Sequence, residues 1–231
     1  MNNEIFWIIL LLANFGLILL SYRIFGKTGL FIWVPIAAIV ANIQVIQTIH
    51  LFGFTATLGN IVYASSFLVT DVLSENYGKQ EARKAVWIGF FSLISMTILM
   101  NVALYFNPTG EEFSQKTFES IETIFSLMPR VVLASLTAYL ISQRHDVWAY
   151  HFWRKYFSSQ KSIWIRNNLS TMVSQFIDSL VFTAIAFIGV YPTGVLLEIL
   201  LTTYFLKWIV AAADTPFVYI ASMIKSRNYV D

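Results

Sequence analysis

Cysteine is absent from the 231 residues, so neither a disulfide framework nor a thiolate metal site is available. Charge is scarce too: Asp, Glu, Lys and Arg make up 12% of the chain, against about 25% in an ordinary soluble domain. Histidine occurs three times, at positions 50, 145 and 151. All three fall at or beyond the ends of apolar runs, which leaves an intramembrane Ser–His hydrolase without a base at mid-depth. The phosphate-binding pattern GxxxxGK[ST] is missing, so the chain carries no ATPase site of its own; GxSxG and HExxH are missing as well. No catalytic residue, cofactor site, metal site or nucleic-acid-binding feature is read from it. An enzyme is therefore the remote reading.

What fills the chain instead is apolar. Hydrophobic residues reach 57% and the mean hydropathy is +0.66. A hydrocarbon core of about 30 Å takes ~20 helical residues to cross, and seven uncharged or nearly uncharged runs approach that length: residues 5–21, 30–50, 58–73, 85–106, 129–143, 169–190 and 195–224. The third and fifth are short. Backbone groups in lipid must pair internally, and no alternating strand pattern shows, so the expectation is an all-α membrane protein. It is a single bundle of about seven helices over residues 1–231. The first run is flanked by MNNE and followed by Tyr22 and Arg23, without the basic lead and small-residue exit of a cleaved signal. It reads as a retained helix.

The 15 basic residues alternate. Arg23 and Lys27 lie in the first gap, Lys79, Arg83 and Lys84 in the third, Arg144, Arg154, Lys155, Lys161 and Arg166 in the fifth, and Lys225 and Arg227 in the tail. The other gaps hold only Lys116, beside the acidic Glu111, Glu112, Glu119 and Glu122. The positive-inside rule then sets the N-terminus outside and the C-terminus in the cytoplasm of a plasma-membrane protein. Between the fifth and sixth runs, DVWAYHFWRKYF spaces Trp148, Phe152 and Tyr156 four apart among cations. That pattern suggests a separate helix lying in the headgroup region.

Polar groups inside the spans cost free energy unless they meet a partner or a wet cavity. Asn168, Thr171, Gln175 and Asp178 share one face of the sixth run, and Phe182 continues it. The seventh run carries Lys207 and Asp214; the second carries Asn42, Gln44, Gln47 and His50, with Gln44 and Gln47 on one face. The fifth begins at Arg130 and ends with Tyr139 and Gln143. Asp71 and Glu75, four apart at the end of the third run, would repel on one helix face. Each has a plainer reading: an Asp178–Lys207 ion pair, Arg130 among outer headgroups, interhelical amide bonds, a solvated helix end.

The stretch TDVLSENYGKQEARKAVWIGF resembles the signature of the vitamin uptake transporter family, whose characterised members carry 7-deazaguanine precursors of queuosine. The resemblance continues through RVVLASLTAYLISQRHDVWAYHFWRK, NNLSTMVSQFIDSLVFTAIAF and LKWIVAAADTPFVYI, nearly the whole chain from the third run onward. The matching positions are Thr70, Asp71, Glu75, Tyr77, Gly78 and Arg83; Arg130, Ser135, Tyr139, Gln143 and Asp146; Ser170, Thr171, Gln175, Asp178 and Ser179; Lys207, Asp214 and Pro216. Gln175 stands where some relatives carry Asn, and Ser65 and Ser66 replace a Pro. The family also resembles the six-helix substrate-binding subunits of energy-coupling-factor importers, which makes the first run an extra N-terminal helix that shields the bundle or mediates a dimer.

The resemblance implies import of 7-cyano-7-deazaguanine, its aminomethyl form or queuine. Such a base offers a donor pair at N1 and the 2-amino group, an acceptor at O6 and a flat ring. Asp178, Gln175, Gln143, Tyr139, Phe182 and Thr171 supply matching groups. Asp71, Glu75, Asp214, Arg130 and Lys207 are further candidates, the acids for a cationic cargo. The partners are then the small-molecule base and the lipid bilayer, with no nucleic acid. A homodimer and separate energy-coupling subunits are left open by the sequence, and so is the alternative role of a substrate-binding subunit.

Overall fold

The computed structural model describes residues 3–156 and 163–224, without the side chains at 71, 74, 75, 79, 143, 146, 147, 150, 151, 154, 163–171, 211, 212, 214–216, 218, 219, 222 and 223. Eight helices and two strands occur among the described residues: α1 Asn3–Phe25, α2 Lys27–Gln44, β1 Thr48–Leu51, β2 Phe54–Thr57, α3 Asn60–Tyr77, α4 Lys79–Ala103, α5 Glu112–Phe125, α6 Met128–Tyr156, α7 Ile163–Phe187 and α8 Thr193–Met223. Five stretches are long and apolar enough to cross a membrane: Asn3–Phe25, Lys27–Gln44, Gln80–Ala103, one within Glu112–Ser142, and Thr193–Val210. Two shorter apolar helices, Asn60–Thr70 and Met172–Phe187, fall on the third and sixth runs. This is an all-α integral membrane fold. The chain forms two compact units, one of residues up to Pro129 together with those from Phe205 onward, the other Arg130–Tyr204.

In the first unit, α1 and α2 form a helical hairpin that turns at Gly26, whose φ of 58° suits glycine. The two helices touch backbone to backbone: a Cβ on Gly29 would sit 2.2 Å from the Ser21 carbonyl oxygen. Trp7, Leu11, Phe15, Ile18 and Tyr22 make one stripe of α1 and are buried, in a core shared with Leu68 and Leu73 of α3 and Leu206 and Val210 of α8. Phe15 packs on Phe217, ring centroids 4.7 Å apart. Ile5, Ile8, Ile9 and Leu12 cover the other face and are exposed, as a lipid-facing surface requires. The N-terminal helix is thus an integral wall of this unit's core.

The second run does not stay helical to its end. α2 stops at Gln44, and residues 48–57 form an antiparallel hairpin pairing Thr48 with Thr57 and Leu51 with Phe54. Phe52 and Gly53, with φ of 52° and 83°, make the two-residue turn, and positive φ at both positions gives the twist that tight hairpins need. This corrects two expectations: strand pairing is present, and Gln47 and His50 lie beyond α2 rather than on it. The β-branched run Thr48, Ile49 and Thr55, Thr57 around a glycine turn carries the physical reason. The outer edge of β1 is covered by the start of α1, where Asn3 Nδ2 donates to the His50 carbonyl at 2.7 Å and Glu4 Oε1 accepts from Phe52 N–H at 3.0 Å. A paired edge is compatible with a membrane interface.

In α3, Ser65, Ser66 and Thr70 donate their hydroxyls to carbonyls three residues earlier, at 2.7, 2.6 and 2.9 Å. Their polar groups are satisfied within the helix. The acidic gap after α4 is also more ordered than a loop, since it holds α5.

In the second unit, three levels of hydrogen bonds show α6 and α7 running antiparallel. Arg130 meets Ile185 and Ile188, Ser142 meets Asp178, and His145 meets Ser174. The segment expected as a separate headgroup helix is instead the continuation of α6, whose 29 residues span ~44 Å at 1.5 Å each. That exceeds a hydrocarbon core, so one end projects. After Pro129 in its first turn the helix contains no Pro or Gly, which is why it runs on. Trp148 stacks on Phe152 at 5.6 Å and Phe152 meets Tyr156 at 5.3 Å along the projecting end.

Candidate functional site

The richest set of buried polar groups in the second unit lies between α6 and α7. Asp178 and Ser174 are buried on α7, and Ser142 is buried on α6. Ser142 Oγ donates to Asp178 Oδ1 at 3.3 Å and also lies 3.2 Å from the Tyr139 carbonyl. One turn further along, His145 Nδ1 and Ser174 Oγ are 3.0 Å apart. Tyr139, Ser142 and His145 follow a spacing of three on α6, so one face of that helix meets the Asp178 face of α7.

Gln175 presents a different state. Its Oε1 is buried, and no donor reaches it among the described residues. The Thr183 hydroxyl, two turns further along α7, is likewise buried without a partner among them. A buried acceptor left unmatched costs about 1–3 kcal/mol. Water or a bound molecule can complete the bonding of such a group. Phe182 offers its ring nearby in sequence and stands edge-on to Phe187 at 5.8 Å.

Arg130 has its donors engaged at the other end of the same helix pair. Nε donates to the Ile185 carbonyl at 2.6 Å and Nη2 to that of Ile188. These are carbonyls of the last turn of α7 and just beyond, which lack intrahelical partners, and a guanidinium is the natural group to satisfy them.

In the first unit, Lys207 of α8 is buried, with Nζ 5.4 Å from the ring centroid of Tyr63 on α3. A desolvated ammonium over an aromatic face gains about 2 kcal/mol. Asn42 Nδ2 returns to the Ala38 carbonyl at 2.7 Å, and Asn60 Nδ2 reaches the Thr57 carbonyl and hydroxyl at 3.0 and 3.2 Å. Gln44 Oε1 and Trp33 Nε1 on α2 are buried without partners among the described residues.

Of the eleven residues singled out from sequence, Asp178, Gln175, Tyr139 and Phe182 fall on the α6–α7 pair, and Arg130 anchors its far end. Lys207 belongs to the first unit. The side chains of Gln143, Thr171, Asp71, Glu75 and Asp214 lie outside the described residues. Sequence reasoning missed Ser142, Ser174, Thr183 and Tyr63. Ser142 was available from its place between Tyr139 and His145 at helical spacing, and Thr183 from its place one turn after Ser179; Tyr63 carries no such signal, because its role depends on where α8 passes.

The family described as "Putative vitamin uptake transporter" matches residues 57–221. The chain is 47% identical over 221 residues to a "Probable queuosine precursor transporter" of Bacillus subtilis (strain 168), covering 96% of this chain and 95% of that protein. It is 25% identical over 167 residues to a protein of the same description from Haemophilus influenzae (strain ATCC 51907 / DSM 11121 / KW20 / Rd), covering 71% and 65%. No solved structure matches.

Proposed function

The chain belongs to the vitamin uptake transporter family, and on that premise we propose that it imports a queuosine precursor, a 7-deazaguanine base, across the cytoplasmic membrane. The observation that carries this is the 47% identity to a protein described as a queuosine precursor transporter, which extends over nearly the full length of both chains. The apolar helices supply the membrane part of the reading.

Recognition is assigned to the α6–α7 pair. Asp178, a buried carboxylate that accepts from Ser142, is the group assigned to the donor pair of the base, because a carboxylate accepts such a pair through charge-assisted bonds. Gln175 Oε1 takes a further donor from the cargo, and the faces of Phe182 and Tyr139 bracket the ring. Lys207, Arg130, Thr171, Gln143, Asp71, Glu75 and Asp214 enter as cargo contacts through the family motifs alone. The base passes through chemically unchanged, with the protein acting as a carrier rather than an enzyme. The N-terminus is outside and the C-terminus cytoplasmic; the bonds from Asn3 and Glu4 to the β-hairpin support a common side for the N-terminus and the α2–α3 connection.

Entry needs no coupling if the cargo is consumed inside the cell. Proteoliposomes containing this protein alone should therefore accumulate labelled 7-cyano-7-deazaguanine to equilibrium without ATP, and the label should be recovered unmodified. Uptake only after separate ATPase subunits are added would make the chain a substrate-binding subunit. Recovery of an altered base would make it an enzyme, and no uptake under either condition would reject this cargo.

A further inference from the structure

The N-terminal ends of α2 and α4 lie side by side in the first unit and carry a charge arrangement that cargo recognition does not use. Lys27 pairs with Glu81 at 3.1 Å. Lys27 and Lys84 both approach the Phe31 ring, with Nζ 5.9 and 5.6 Å from its centroid. Two ammonium groups drawn to one ring repel each other, and among the described residues Glu81 compensates Lys27 while no carboxylate pairs with Lys84. Lys84 is exposed. An exposed cation so placed is accessible to an anion of the surroundings.

What continues from Lys84 along α4 says which anion. Trp87, Phe91, Ile94 and Ile98 follow at spacings of three and four, so they form one stripe, and all four are exposed, Phe91 at 73%. From Trp87 to Ile98 the stripe rises ~16 Å, about half of a ~30 Å hydrocarbon core. A phosphate at the cationic end with an acyl chain along such a stripe fills one leaflet, with Trp87 at the level that amphipathic aromatics favour. The close approach of α2 and α4 sets the frame: a Cβ on Gly89 would lie 2.8 Å from Val34 Cγ1.

We propose that Lys84, with Lys27 and Phe31 behind it, binds the phosphate of an anionic phospholipid whose acyl chain lies along the Trp87–Ile98 stripe of α4. This inference rests on the membrane reading and is independent of the cargo. Native mass spectrometry of the full chain, given phosphatidylglycerol or phosphatidylcholine with the same acyl chains, should show a preference for the anionic lipid. Lys84→Gln should reduce that preference about fivefold, the factor expected for one basic group near a membrane surface. Lys84→Arg should retain it, and Lys116→Gln, in the exposed α5, should leave it unchanged. Fluorescence quenching reads the acyl track separately: the part of the quenching lost in Trp87→Phe should be larger with brominated phosphatidylglycerol than with brominated phosphatidylcholine. A wild type without preference, a Lys84→Gln variant that keeps the full preference, or equal Trp87 quenching by both lipids would each overturn the site.

Discussion

Replacing Gln175 by leucine should make the protein harder to unfold and poorer at transport. The stability side follows from the buried Oε1, which no donor reaches among the described residues. An unmatched buried acceptor costs about 1–3 kcal/mol, and because the side chain as a whole is only half-buried, a recovery of about 1 kcal/mol is the reasonable share. For a chain of this size that is about 2–4 °C in melting temperature. The transport side has the opposite sign. A cargo donor that faces leucine instead of an amide oxygen is itself left unpaired, costing about 1–3 kcal/mol. Half-saturation of uptake should then need about 5- to 150-fold more base. Melting followed by tryptophan fluorescence in detergent and concentration-dependent uptake in proteoliposomes measure the two sides on one preparation. A fall in both would show that the amide holds the fold together. A rise in melting temperature with unchanged uptake would refute the claim that this buried oxygen serves the cargo.

Asp178→Asn should weaken binding by about 2 kcal/mol, roughly thirtyfold, as expected for a charge-assisted hydrogen bond, with little change in melting because Ser142 can still donate to the amide oxygen. Analogues lacking the 2-amino group should lose their disadvantage in this variant, and wild-type affinity or outright unfolding would count against the assignment. Gly29→Ala should destabilise the first unit by about 1–3 kcal/mol through overpacking, since the added carbon meets the Ser21 backbone at 2.2 Å, whereas Gly16→Ala, with no atom within 4 Å, should gain up to about 1 kcal/mol of helix propensity. Indistinguishable melting of the two alanine variants would contradict the close approach. Tags at the two termini, probed on intact cells, should be accessible at the N-terminus only; both on one side would rule out an odd number of crossings.

The solvent to which this fold answers was decided by the sequence alone. Run length and apolar content are properties of a segment by itself, and a hydrocarbon slab reads them one segment at a time. The same holds for the α7 stripe of Gln175, Asp178 and Phe182, because helical periodicity is local. Other features were decided only by the folded structure. The Thr48–Thr57 hairpin hides inside an apolar run, where strand and helix look alike until the partner strand and the Phe52–Gly53 turn are in place. The aromatic segment after Gln143 has the amphipathic spacing of an independent helix, and only the unbroken backbone of α6 shows that it is not one. Asp178 acquires Ser142, Arg130 acquires the last carbonyls of α7 and Lys207 acquires the Tyr63 ring through contacts separated by 36, 55 and 144 positions in the chain. Which polar group satisfies which depends on how helices pack, and in a medium without water that pairing determines which atoms remain open to a cargo.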